Sequence, residues 1–483
     1  MVNMERGCGV LLPVSALPNK YGFGCFSREA YEFVDFLSEL NMKYWQILPL
    51  CGVDSVGSPY SSVSAFAGEP LYIDIETILN AEEIEYYKLN SNLTFSEYRS
   101  RKMEALRYVY DKLYYSTNID TFIEENENWV YDYAVFMVLK DDLKVPYTEF
   151  PPEYKNIDSA ETIEFIKTHS QEIVYYIFLQ YLFFEQWSKL KKYANEKGIK
   201  IIGDVPIYCA MDSVDMYANT NCFMLDENKI PTYIAGVPAD YFNAEGQIWN
   251  NPLYDYDYLK RTKYAWWVQR LQHSSKLYDY IRIDHFRGFE SFFAVPYGDT
   301  SIKNGVWIKG PGIDIFDAFK ENGIQNLILE DLGQISYAVR ALKRQTKLAG
   351  MKVLQFAFDG DTKNLHLPHD YEKNSVAYLG THDNDTFMGY LKDINARNRL
   401  CEYLHLPLNV SDEIITRMAI ENLISSNSNV CILTMQDILC EGSDCRINTP
   451  GTSKGNWEYR LKNNYKNHKY YEYLKQLIKN KNR

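Results

Sequence analysis

The sequence predicts a (β/α)8 TIM barrel with helical insertions. Three observations lead there. Eight short apolar runs recur along the 483 residues, amphipathic helical stretches lie between most of them, and acidic, Arg and His residues stand at the ends of the runs. Uninterrupted apolar strands alternating with helices read as parallel βαβ units, and eight such units close a barrel. An open doubly wound sheet is the alternative. It calls for a Gly-rich phosphate turn after an early strand, and none is present.

The first strand is "CGVLLPVSAL" from Cys8 to Leu17. In "SREAYEFVDFLSELN", Ala30, Phe33, Val34, Leu37 and Leu40 fall at helical spacing, with Ser27 as N-cap. "KYWQILPL" from Lys43 is the second strand. Residues 83–195 are then mostly helical, an insertion closed by Gly198 as the residue after the helix C-cap. Strands three to eight begin at Ile199, Tyr280, Asn326, Met351, Ser375 and Val430. Residues 210–260 form a second insertion, carrying a loop expected to act as a lid. The whole of 1–483 reads as one catalytic barrel, and the basic tail from Tyr465 as a frayed, solvated helix.

Composition narrows the functions. A net charge of -13 disfavours nucleic acid, whose phosphates need Lys/Arg fields. The nine cysteines form no CxxC pair, and Cys440 with Cys445 is too isolated for a zinc site, so idle thiols in a reducing compartment are expected. No apolar leader follows Met1–Arg6, and the run "IVYYIFLQYLFFEQW" from Ile173 is too short and too polar to span a bilayer. The expectation is a cytoplasmic protein without membrane or nucleic-acid partners.

The active site of such a barrel lies at the C-terminal ends of its strands. There stand Asp204, Tyr208 and Asp212 after strand three, Arg282, Asp284 and His285 after four, Glu330 and Asp331 after five, Asp359 after six, and Thr381 to Asp385 after seven. Crowded like charges cost stability unless function keeps them. A His–carboxylate metal site is one use of such a ring, but His is scarce and no HxH or HxxxH pair ends a strand. Glycosyl transfer by paired carboxylates is the other. Arg282 shares a strand face with Asp284 and suits a nucleophile held as an anion.

Four stretches, "DVPIY" (Asp204), "RIDHFRGFE" (Arg282), "EDLG" (Glu330) and "GTHDND" (Gly380), resemble the barrel signatures of the α-amylase clan. Four more, "GSPYSSVSAFAGEP" (Gly57), "AGVPADYFNAEGQIWNNPLYDY" (Ala235), "IKGPGIDIFDA" (Ile308) and "NTPGTSKGNW" (Asn448), resemble the amylomaltases, or 4-α-glucanotransferases, within it. The resemblance covers nearly the whole chain and is weakest in the helical insertion. It implies malto-oligosaccharides and α-1,4-glucans as partners, no cofactor and no metal. It implies Asp284 as nucleophile, Glu330 as general acid/base and Asp383 as a third carboxylate gripping sugar hydroxyls. Arg282 and His382 would line the donor subsite, Tyr60 would be a sugar platform, and Ser58, Asp204 and Asp359 would also bind substrate. Tyr241 and Phe242 would sit on a loop over the acceptor side, with Trp249 nearby. Ala239, Asn250, Cys25 and Cys445 depart from the usual pattern, which bears on loop stiffness and acceptor preference. The clan's C-terminal β-domain is not expected here.

Three functions compete: a retaining 4-α-glucanotransferase, an α-glucan hydrolase of the same clan, and a non-catalytic glucan-binding barrel. The lid argues for a sugar acceptor over water. Three crowded acids argue against a mere binding module.

Overall fold

The computed structural model describes residues 4–238, 246–333, 335–452 and 454–483. Among them are twelve strands: β1 Gly7–Leu11, β2 Tyr44–Gln46, β3 Lys200–Val205, β4 Tyr233–Val237, β5 Gln247–Pro252, β6 Tyr280–Ile283, β7 Ser291–Pro296, β8 Val306–Lys309, β9 Leu327–Leu329, β10 Ala349–Val353, β11 Ser375–Tyr378 and β12 Val430–Thr434. Eight close a barrel in the order β1-β12-β11-β10-β9-β6-β3-β2, every neighbouring pair parallel. They correspond to the eight apolar runs, though the strands are shorter than the runs because the chain turns out of the ladder at each mouth residue.

Parallel strands covered on both sides must be apolar on both faces. Ile201, Ile202, Ile281, Ile283, Ile328, Leu329, Val376, Ala377, Ile432 and Leu433 are accordingly fully buried. The helix Arg28–Glu39 covers one flank with Ala30, Phe33, Val34 and Leu37. Ser27 stands at its N-cap, but its hydroxyl donates to the Glu29 carboxylate rather than capping a backbone N–H.

Between β2 and β3 run the helices Ala81–Tyr86, Phe95–Leu113, Asp120–Glu125, Val130–Leu143, Ala160–Thr168 and Ser170–Glu196. The last buries Phe178, Leu179, Phe183 and Trp187, and Gly198 takes a left-handed φ of 82° after its C-cap. Asp212, one of the acids counted after strand three, serves this region. It pairs with Lys140 and accepts from the Tyr147 N–H at 2.9 Å.

Two features were not read from the sequence. An antiparallel sheet, β5-β4-β7-β8, is built from the segments that follow β3 and β6. The tail is docked rather than frayed. Helix Tyr471–Asn480 buries Leu474, Leu477 and Ile478, and the buried Arg483 guanidinium donates to the carbonyls of Ile424, Ser426 and Asn429. The tail's positive charge suggested solvent, but its apolar residues fall at i, i+3, i+4 and form one docking stripe.

Candidate active site

The register of the barrel sets the site. Asp204 on β3 lies directly opposite Arg282 on β6, so the two share a face. One residue further, the Asp284 N–H donates to the Val205 carbonyl at 3.0 Å. The Glu330 N–H donates in turn to the Ile283 carbonyl, also at 3.0 Å. Both acids therefore leave adjacent ladders at the same level of the mouth.

Arg282 is 3% exposed and holds two carboxylates. Its Nη1 donates to both oxygens of Asp204 at 2.7 and 2.8 Å, and Nη2 lies 2.8 Å from Asp284 Oδ1. A planar guanidinium suits this fork, and its permanent charge favours two neighbouring anions. Asp204 Oδ2 also accepts from the Tyr60 hydroxyl at 2.6 Å. That hydroxyl oxygen sits 2.8 Å from His382 Nε2, and the two rings stack at 5.4 Å and 12°. With the Tyr60 O–H donated to Asp204, the Nε2–H of His382 points to the Tyr60 oxygen and to Asp383 Oδ2 at 3.3 Å. Asp383 Oδ1 accepts from Asn448 Nδ2 at 2.7 Å. The result is one polar chain around the mouth: Asp284, Arg282, Asp204, Tyr60, His382, Asp383, Asn448.

Glu330 lies outside that chain and has no cation of its own in it. Its Oε2 accepts the His285 N–H at 2.6 Å. Loss of solvent around the carboxyl, reinforced by the negative charge of Asp284, pushes it up to about 8. His285 adopts a left-handed φ of 49°, which turns its N–H toward Glu330. Its ring lies edge-on to Trp249 on β5 at 4.8 Å, and burial lowers the imidazole to about 4. Two acids in contrasting surroundings, one beside Arg282 and one stripped of water, can divide nucleophile from proton donor.

Seven of the residues expected at the site thus gather there: Tyr60, Asp204, Arg282, Asp284, Glu330, His382 and Asp383, with Trp249 beside them through His285. Ser58 is one step removed. Its Oγ accepts the Tyr60 N–H at 3.3 Å, and its backbone closes the turn with Asp54. Asp359 stands apart. It is exposed, and its oxygens accept from Asp361 N and Asn364 Nδ2 within its own loop. The reason is that β10 ends at Val353, so Asp359 falls six residues beyond the strand end. Asp331 likewise turns aside to Lys343 at 2.7 Å and the Met351 N–H. Tyr241 and Phe242 lie outside the described residues.

Residues in and beside "NTPGTSKGNW" join the site although the sequence named none of them as catalytic or substrate-binding. Asn448 completes the polar chain, Arg446 Nε donates to the Asn448 carbonyl at 2.7 Å, and the Trp457 ring lies 5.8 Å from Tyr60. A Gly/Pro/Thr-rich loop after the last strand was the available signal.

A family model described as 4-alpha-glucanotransferase matches residues 12–466. The chain belongs to the 4-alpha-glucanotransferase family. A 4-alpha-glucanotransferase of Clostridium butyricum is 42% identical over 469 residues, covering 93% of this chain and 95% of the relative. That of Aquifex aeolicus is 36% identical, covering 98% of each. Among solved structures, the amylomaltase of Streptococcus agalactiae in complex with acarbose superposes with a TM-score of 0.90 at 34% identity, covering 99% of this chain and all of that one. The amylomaltase of Corynebacterium glutamicum, at 17% identity and a TM-score of 0.78, shares the fold.

Proposed function

We propose that this member of the 4-alpha-glucanotransferase family moves α-1,4-glucan segments between malto-oligosaccharides by a retaining double displacement. The observation that carries the mechanism is the contrast between Asp284 and Glu330. Asp284 attacks the anomeric carbon as an anion aimed by Arg282, and Glu330 gives its proton to the departing glycosidic oxygen. A glycosyl ester on Asp284 results. Glu330, now ionised, takes the proton from the 4-hydroxyl of an incoming sugar as that oxygen displaces Asp284, which restores both acids. Asp383, braced by His382 and Asn448, is the third carboxylate and grips sugar hydroxyls in the distorted transition state. Tyr60, Asp204, Arg282 and His382 form the donor subsite, with Ser58 supporting the Tyr60 turn. Trp249, Tyr241 and Phe242 would serve the acceptor.

Transfer rather than hydrolysis follows from the family to which the chain belongs. We place the reaction in the cytoplasm, acting on maltodextrins. All nine cysteines are free thiols, as a reducing compartment allows, and no described helix is long and apolar enough to cross a membrane.

Maltotriose alone tests the reading. The expected products are glucose plus a ladder of longer maltodextrins, with little gain in total reducing ends. Asp284→Asn should abolish both, because an amide does not form the ester, and chelator should leave the rate unchanged. Reducing ends that rise in step with glucose would identify a hydrolase. Acceptor contacts by Tyr241 and Phe242 predict that alanine at either position raises the hydrolysis-to-transfer ratio in a folded protein.

A further inference from the structure

We propose that Trp457 is a positioning residue. Its indole holds Tyr60 and His382 in register, and with them the link between the two halves of the polar chain. The inference rests on the functional reading above and adds a residue to it.

Tyr60 is the only junction in that chain supplied by a loop between β2 and the helical insertion. Its hydroxyl joins Asp204, and through Arg282 the nucleophile, to His382 and Asp383. A shift of the Tyr60 ring would open both contacts together. Its ring is half-buried, stacked on His382 on one side. Trp457 packs against this pair, 5.8 Å from the Tyr60 ring at 37° and 6.3 Å from the His382 ring at 34°.

The backbone at Trp457 is the second observation. Its φ is 66°, in the left-handed region that suits glycine and disfavours a bulky side chain. Such strain persists only where surrounding contacts over-determine it. They do so here. The Trp457 N–H donates to the Ile447 carbonyl at 2.7 Å, and its own carbonyl accepts from Arg460 Nη1 at 2.8 Å. Arg460 is tied in turn to the Gly22 carbonyl at 2.7 Å, and Thr449 N–H donates to Asn456 Oδ1 at 2.8 Å. A loop end at which glycine would be conformationally easier thus presents the largest side chain, and it presents it to the two rings that join the site's halves. The same loop begins with Asn448, the partner of Asp383. One segment therefore braces the third carboxylate by a hydrogen bond at its start and the Tyr60–His382 stack by an aromatic face at its end.

Trp457→Gly and Trp457→Phe separate this role from packing. Glycine removes the ring and relieves the backbone; phenylalanine keeps a ring on the same strained backbone. On maltotriose, the glycine variant should lose roughly 10–100-fold in kcat for transfer, the scale set by small misplacements of reacting groups, with KM little changed. Its melting temperature should equal or exceed that of the wild type. The phenylalanine variant should recover most of the transfer rate. Should the glycine variant fail to fold, Trp457→Leu, which fills space without a ring, takes its place, with the same loss expected. Wild-type transfer by the glycine or leucine variant would overturn the proposal. So would equal losses in the phenylalanine and glycine variants that track a lowered melting temperature. If the wild type releases reducing ends in step with glucose, the transfer reading fails. The difference in donor turnover between the ring-bearing and ringless variants still decides the role of Trp457.

Discussion

Glu330 keeps its proton up to about pH 8 in the folded chain, against an ordinary value of 4.5. As the proposed proton donor it would be active when protonated, so kcat/KM should fall as pH rises through about 8, and a pH–rate profile checks this. The stability effect has the same direction. Between pH 4.5 and 8 the folded state holds a proton that the unfolded chain has released, so this group's contribution to stability declines as pH rises across that window. Glu330→Gln should cost about 10²–10⁴-fold in transfer. Its melting temperature relative to wild type should climb steadily across the same window. Arg282 makes the opposite case. Replacing it with Met strands the buried Asp204, and breaking a buried pair in this way costs about 3–5 kcal/mol. Urea unfolding should show that loss, and adding Asp204→Asn should return a good part of it, because an amide needs no cation, while transfer stays lost.

At the level of elements, the decisive contact is the parallel pairing of β3 with β6, which sets Asp204 opposite Arg282. Gly203, immediately before Asp204, makes that pairing possible. A Cβ there would stand 2.2 Å from the Tyr278 ring, which is itself buried. Gly203→Ala must therefore displace either the ring or the strand end, and overpacking of this kind costs about 1–3 kcal/mol. Thermal unfolding should show the loss. Transfer should fall further than stability explains, because Asp204 moves with the strand. The eight strands were legible because parallel barrel strands are apolar on both faces and end in turns. The antiparallel β5-β4-β7-β8 sheet was not. Its outer strands β5 and β8 are mostly exposed or half-buried, as in "QIWNNP", while β4 and β7 are buried through their middles, so none shows the clean alternation by which a half-buried strand announces itself.

At the scale of the molecule, closure of the barrel also depends on its far end. Arg483 crosses to the carbonyls of Ile424, Ser426 and Asn429 at the entry to β12, and Arg6 donates to Ser426 and Ser428 beside it. Arg483→Ala should lower the melting temperature while leaving the transfer-to-hydrolysis ratio intact, since the contacts lie beneath the barrel, away from its mouth. A structure with bound oligosaccharide should place the Asp284 and Glu330 carboxyl groups about 5–5.5 Å apart, the spacing of retaining enzymes. A spacing near 9 Å would signal inversion.

The sequence alone determined the barrel, its order and the acids at its rim. Hydrophobic period and turn residues are local properties, and the motif stretches carry Asp284, Glu330 and Asp383 on their face. It did not determine which rim residues converge. Asp212, Asp331 and Asp359 read as well as Asp204 did. Only strand ends and register sent the first to Lys140, the second to Lys343 and the third into its own loop. Nor could it join Tyr60 to His382, which lie 322 residues apart, or set Asn448 on Asp383. Those contacts exist because closing eight strands brings loops from every part of the chain to one mouth, and no local period encodes which of their side chains will meet there.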